Sequence, residues 1–259
     1  MNPQDQIAHH LLSTKSLPVS QNWLSTFLNT TTNARNIPIQ SLTQTALFRL
    51  LNSDFRDSLS ATSTRLFPAD IFNPAIKERK LQGPTPVQIL DIDDIGTSLW
   101  SQVEEMERVE RGETVRGREI IRTVNVDERE GPEIETTGNG NGNSGRNLDP
   151  GNNSSNNRTP GASGSNSNGP HRLILQDAAG TKAVAIEMKS ISGVGIGSVP
   201  IGAKMVLRNV TVARGMLLLV PESVVLLGGK IEVLDREWRS GRKARLLGRI
   251  ADAEREDSQ

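Results

Sequence analysis

Cysteine is absent from the 259-residue chain, which removes disulfides, thiolate metal sites and thiol nucleophiles together. Histidine is scarce. His9 and His10 stand in tandem in a terminal helical pattern and His171 stands alone at the start of a strand pattern, which is poor material for a catalytic triad or a metal site. Neither sign of charge is in excess, since 30 Lys and Arg balance 30 Asp and Glu, so no whole-chain field draws the protein to nucleic acid or to an anionic membrane. Long apolar runs are also missing. MLLLV (216–220) and VVLL (224–227) are five and four residues, against the roughly 20 of a membrane span. The opening MNPQDQIAHHLL has no basic region followed by an apolar core, so no secretory signal is expected and the reading is a soluble intracellular protein.

What is present falls into blocks. From Gln4 to about Leu66 the apolar residues recur at helical spacing: Ile7, Leu11 and Leu12; then Trp23, Leu24, Phe27 and Leu28 behind a capping Ser20; then Leu42, Leu47, Leu50 and Leu51. A small helical bundle is expected there. Pro68, Pro74, Pro84 and Pro86 break the helical pattern, and VQILDIDDI (87–95) then alternates as a half-buried strand does. Between about Gln102 and Pro170 the chain is first highly charged, with an apolar knot at Ile120, Ile121, Val124 and Val126, and later almost pure Gly, Asn and Ser. Such composition does not repay the entropy of ordering, so 102–170 is expected to be a largely disordered insertion. Strand patterns resume at once with RLILQD (172–177), KAVAIEM (182–188), GAKMVLRNVTV (202–212) and RGMLLLVPESVVLLGG (214–229). One strand before the insertion and four or more after it suit a five- to six-stranded Greek-key barrel of the OB type. Beyond the paired glycines, Ile231, Leu234 and Trp238 share a helical face, so a C-terminal helix should pack on the barrel and end in a frayed polar tail. The expected organisation is α+β: a three-helix bundle over 1–80, the barrel over 81–229, and the helix and tail over 230–259.

PIGAKMVLRNVTVARGMLLLVPESVVLLGGKIEVL, with TPVQILDIDDIGTSLWSQVEEMERV upstream, LQDAAGTKAVAIEM between and SQNWLSTFL near the start, resembles the RecQ-mediated genome instability protein family of the first kind. That family comprises OB-fold partners of topoisomerase III. The resemblance implies a non-catalytic subunit that binds a type IA topoisomerase and, with a RecQ-family helicase, promotes decatenation and dissolution of double Holliday junctions in the nucleus. It also implies that the insertion after the first barrel strand reaches the topoisomerase gate, which singles out Ile120, Ile121 and Val124 as contacts. The Gly/Asn/Ser tract has no counterpart in that pattern, and the chain is similar to the short fungal form. With no tyrosine in the sequence, the nucleophile of any topoisomerase chemistry must belong to the partner.

The residues support a docking role on their own account. Along a strand, Leu217 and Leu219 share one face and Met216, Leu218 and Val220 the other, and both faces are apolar. One fills the barrel; the other is covered by helices of the same chain or by a partner. Pro221 and Glu222 sit in the following turn, where Glu222 can meet a basic partner. The partner-binding set is therefore Met216, Leu218, Val220, Pro221 and Glu222. The alternative is a single-stranded DNA-binding OB-fold, which needs stacking rings in a basic groove. Between His171 and Gly229 there is no Phe, Tyr or Trp, so DNA contact is expected to be weak or indirect, through the basic stretch Arg236 to Arg249. SGVGIGSVP, with Gly193, Gly195 and Gly197, lacks the following helix of a dinucleotide site and reads as a flexible connection. Asp91, Asp93 and Asp94 read as solvent-facing carboxylates and a strand end. No enzyme activity, cofactor, metal or small-molecule substrate is expected.

Overall fold

The computed structural model describes residues 2–31, 37–61, 65–115, 118–119 and 169–257. Four helices come first. α1 (Pro3–Lys15) starts with proline, whose missing N–H would be unpaired there anyway, and stops at Ser16 in the left-handed region. α2 (Gln21–Thr30) and α3 (Ile39–Leu51) follow, then a single turn, α4 (Phe55–Ser58), capped by the Asp54 carboxylate accepting from the Arg56 N–H. Ile7, Leu11, Leu24, Phe27, Leu42, Leu50 and Phe55 form their common core. The three expected helices are present and α4 adds a fourth, too short to show a period in sequence.

The barrel strands are β1 (Glu78–Leu81), β2 (Thr85–Asp94), β5 (His171–Gln176), β6 (Lys182–Glu187), β7 (Lys204–Leu207), β8 (Val210–Ala213), β9 (Met216–Leu219) and β10 (Val224–Gly228). Between β2 and β5 lie α5 (Leu99–Glu110) and a short hairpin, β3 (Thr114–Val115) with β4 (Arg118–Glu119); α6 (Glu232–Asp257) ends the fold. The sheet order is β1-β8-β9-β6-β5-β2-β7-β10. Only Arg208 and Asn209 separate β7 from β8, yet these strands lie toward opposite ends of that order; β9 and β10 are likewise split around residues 220–223. The sheet must therefore curl back on itself as the sheet of a partly open OB barrel does. Eight strands replace the expected five to six because two long strands are broken, one at Asn209 (φ 51°) and one at a turn of 3-10 helix over Pro221–Ser223. Counted as continuous bent strands they give six.

Three further expectations change. Residues 102–110, assigned to the disordered insertion, complete α5, which Ser98 caps and which packs Val103 against Leu246 and Ile250 of α6. Its apolar stripe is too narrow to stand out until α6 covers it, and Lys243 of α6 pairs with Glu107 and Glu110. The glycine-rich 188–203 connection is packed rather than slack, with Ile191, Val194, Val199 and Ile201 in the barrel core. The polar tail continues α6 as helix through Asp257, while Leu234 and Trp238 at its start lie on the barrel as expected.

Barrel and helical domain share packing. Ala178 and Leu227 enter the helical core, and Gly229 (φ 84°) passes so close to α3 that a Cβ there would lie 2.2 Å from the Leu51 carbonyl oxygen. Only glycine fits both the backbone conformation and the gap.

Candidate partner-docking face

Strand register builds the outer face row by row. Asp91 on β2 lies beside Ile174, Ile174 beside Val184, Val184 beside Met216 and Met216 beside Ala213. The next row is Asp93, Arg172, Ile186, Leu218 and Thr211. None of these ten residues is buried, whereas the intervening Leu173, Ala185, Val212, Leu217 and Leu219 are. The barrel face thus carries an apolar middle of Ile174, Val184, Ile186, Met216 and Leu218, with a charged margin at β2.

β9 settles which side of MLLLV is core. Leu217 and Leu219 are 0% exposed, Met216 is 41% exposed, and Leu218 and Val220 are half-buried. The Ser223 hydroxyl donates to the Val220 carbonyl at 2.8 Å and accepts from the Val220 N–H at 3.1 Å. This clasp buries Ser223 and leaves Pro221 and Glu222 exposed at the strand's end. Five of the eight residues singled out from sequence thereby lie together. Ile120, Ile121 and Val124 lie outside the described residues, as does the Gly/Asn/Ser tract.

The carboxylates of β2 are engaged rather than solvent-facing. Asp91 accepts from Trp238 Nε1 at 2.5 Å, Asp93 pairs with Arg172 at 2.8 Å and Arg249 at 3.4 Å, and buried Asp94 accepts from the Gly96 and Thr97 N–H groups. Alternation put Asp91 and Asp93 outward, but nothing local announces that α6 returns over them. His171 is buried with Glu187, its Nδ1 2.5 Å from Oε2, while the other Glu187 oxygen accepts from the Ile191 N–H. That pair ties the start of β5 to the 188–203 connection, which makes His171 structural.

Sequence reasoning also missed a polar knot beneath the opposite side of the barrel. Lys204, fully buried, donates to Gln88 Oε1 at 3.0 Å and lies 4.9 Å from the Phe55 ring centre. The same Gln88 oxygen accepts from the Phe55 N–H, and Gln88 Nε2 donates to Asp54 and Gln176. Burial pushes the Lys204 amine down to about 7, the negative charge of Asp54 opposing this. Burial also acts to raise the Asp54 carboxyl, but hydrogen bonds from Arg56 and Gln88 outweigh it and hold that group below its ordinary value. The only hint in sequence is one Lys and one Gln inside otherwise apolar strand patterns.

Comparison with known proteins agrees with this architecture. A family model described as RMI1, N-terminal OB-fold domain, matches residues 67–242, and one described as RMI1, N-terminal helical domain, matches residues 11–58. RecQ-mediated genome instability protein 1 of Schizosaccharomyces pombe is 27% identical over 221 residues, covering 85% of each chain. Helical domain and OB-fold barrel therefore follow the order of a known family, and the chain belongs to the RMI1 family.

Proposed function

We propose that the chain is a non-catalytic subunit with a genome-stability role in a RecQ helicase complex in the nucleus, and that its direct partner there is a type IA topoisomerase, topoisomerase III. The similarity to RecQ-mediated genome instability protein 1 of fission yeast supports the genome-stability role. One observation supports the topoisomerase partner: β9 presents Met216, Leu218 and Val220 outward, beside exposed Pro221 and Glu222, on a barrel whose inward positions are already filled. Apolar side chains left open on a rigid strand form a docking surface for protein rather than for a small ligand. The barrel binds the topoisomerase through this face. The insertion, through Ile120, Ile121 and Val124, then contacts one gate state better than the other and shifts the balance between them, promoting decatenation and dissolution of double Holliday junctions. Domain roles follow: 1–80 buttresses the barrel, 81–229 docks and carries the insertion, and 230–259 braces α5.

The single-stranded DNA reading gains little support. The ten residues of the outer face include no aromatic ring, and Trp238 beside them is half-buried with its N–H given to Asp91. The test is reconstitution of a type IA topoisomerase with the intact chain on catenated circles. Co-elution of the two proteins and faster decatenation than the topoisomerase alone are expected. Failure to co-elute, together with tight single-strand binding that survives physiological salt, would reverse the ranking.

A further inference from the structure

Where α6 crosses the β2 and β5 margin of the barrel, it leaves a cleft of about 230 Å³. Its walls carry four guanidinium groups, Arg172 from β5 and Arg242, Arg245 and Arg249 from α6, against two carboxylates, Asp91 and Asp93. The cleft therefore holds a formal excess of two positive charges. Trp238 lines it too. Arg242 and Arg245 lie over its ring, 5.8 and 5.6 Å from the centre, and its N–H is anchored on Asp91. These contacts fix the indole beneath two cations. Arg172 and Arg249 are held by the shared Asp93, and Arg245 by the Trp238 carbonyl at 2.9 Å. Among the described residues each of these three uses a single nitrogen in those contacts, and a guanidinium has five N–H donors. Arg242 gives an N–H to Gln102 Oε1 of α5 at 3.0 Å, so the three other arginines carry the larger share of free donors; Arg239 pairs with Asp235, and Lys243 with Glu107 and Glu110.

Size and charge narrow the ligand. A phosphomonoester carries about −2 at neutral pH and three strong acceptor oxygens, which matches the excess charge and the fork geometry of arginine; a carboxylate brings half the charge. The surface leading out of the cleft discriminates between sources of phosphate. Arg172 is followed across the sheet by Ile186, and Asp91 by Ile174. A nucleic-acid strand needs cations spaced along its backbone and rings for its bases, and this exit has neither. An extended polypeptide with apolar side chains beside one phosphorylated residue fits both parts. We propose that the cleft is a receptor for a phosphorylated serine or threonine in an apolar segment of a partner protein. Docking of that partner would then follow the action of a kinase. The cleft lies at the β2 margin of the outer face and shares its apolar exit with that face, Ile186 lying beside Leu218, but its cations are not among Met216 to Glu222 and the proposal does not depend on the topoisomerase reading.

The probe is a peptide pool with phosphoserine fixed at the centre and degenerate flanks, passed over the immobilised full chain beside the same pool carrying serine. Retention of the phosphorylated pool should exceed that of its twin by at least about tenfold, the retained flanks should be enriched in apolar residues, and Arg245→Glu should abolish the difference. Arg249→Gln, at a half-exposed position, should lower it with an unchanged melt, which guards against misfolding of the first variant. Topoisomerase binding should persist in both variants. Equal retention of the two pools, or a difference that survives Arg245→Glu, would overturn the proposal. Displacement of the phosphorylated pool by a short polythymidine strand would overturn it in favour of nucleic-acid phosphates.

Discussion

Burial takes Lys204 out of water on every side, and its amine gives up its proton near pH 7 instead of 10.5. Between these values the unfolded chain holds a proton that the folded chain has released, so stability rises with pH across that window and is lowest below it. The slope for this group is at most about 1.4 kcal/mol per pH unit. Melts from pH 6 to pH 9.5 should therefore show wild type gaining on Lys204→Met as pH rises, since the methionine cannot titrate; parallel profiles would remove Lys204 from the account. Gly229 makes a second point at this scale. Any side chain there meets both the left-handed backbone and the Leu51 carbonyl, so Gly229→Ala should cost about 2 kcal/mol or more, read as a lower melting temperature. Neither residue could be weighed from sequence. A lysine in GAKMVL and a paired glycine read as a strand position and a turn, and their neighbours, Phe55 and Leu51, arrive from the helical domain 149 and 178 positions away in the chain.

β9 and α5 show why some elements were legible and others not. In β9 the period of two is carried by large apolar residues, so the partition of MLLLV into two faces could be read directly, and the structure adds only which face is inside. Leu217→Ala should then cost about 2 to 5 kcal/mol of stability, whereas Leu218→Asp, on the open face, should leave the circular dichroism melt nearly unchanged. Equal destabilisation by both would mean the strand has no open side. α5 failed to announce itself because its buried stripe rests on few residues, Val103 with Leu99 and Met106 at its edges, and its partner lies more than 130 residues later. Leu246→Ala, which opens that small cluster, should destabilise the packing of α5 on α6, and hydrogen exchange should accelerate in both helices while the barrel strands keep their protection. Acceleration confined to α6 would mean that α5 holds its place without it.

At the scale of the whole molecule, two cores meet at the barrel's end. The Lys204, Gln88 and Asp54 knot, Gly229 against α3, and Ala178 and Leu227 inside the helical core make the bundle a support for the barrel. The outer face on the β9 side is left open. Composition revealed the sequence of blocks because helical period, strand alternation and the Gly/Asn/Ser tract differ so sharply. It could not reveal the curl of the sheet, which depends on two bent strands reaching both ends of it. Removing residues 138–169 should leave topoisomerase binding and decatenation near wild type, while changing Ile120, Ile121 and Val124 together to Ser should keep binding and slow decatenation; wild-type decatenation by the triple variant would sink the gate-contact role. The docking face itself is tested most directly by the affinity of a type IA topoisomerase for the intact chain and for Leu218→Asp, each with its melt recorded beside Leu217→Ala. At least a tenfold loss is expected for Leu218→Asp, about 1.4 kcal/mol, at an unchanged melting temperature. Undiminished affinity in Leu218→Asp, or losses that track the melting temperature alike in both variants, would contradict it.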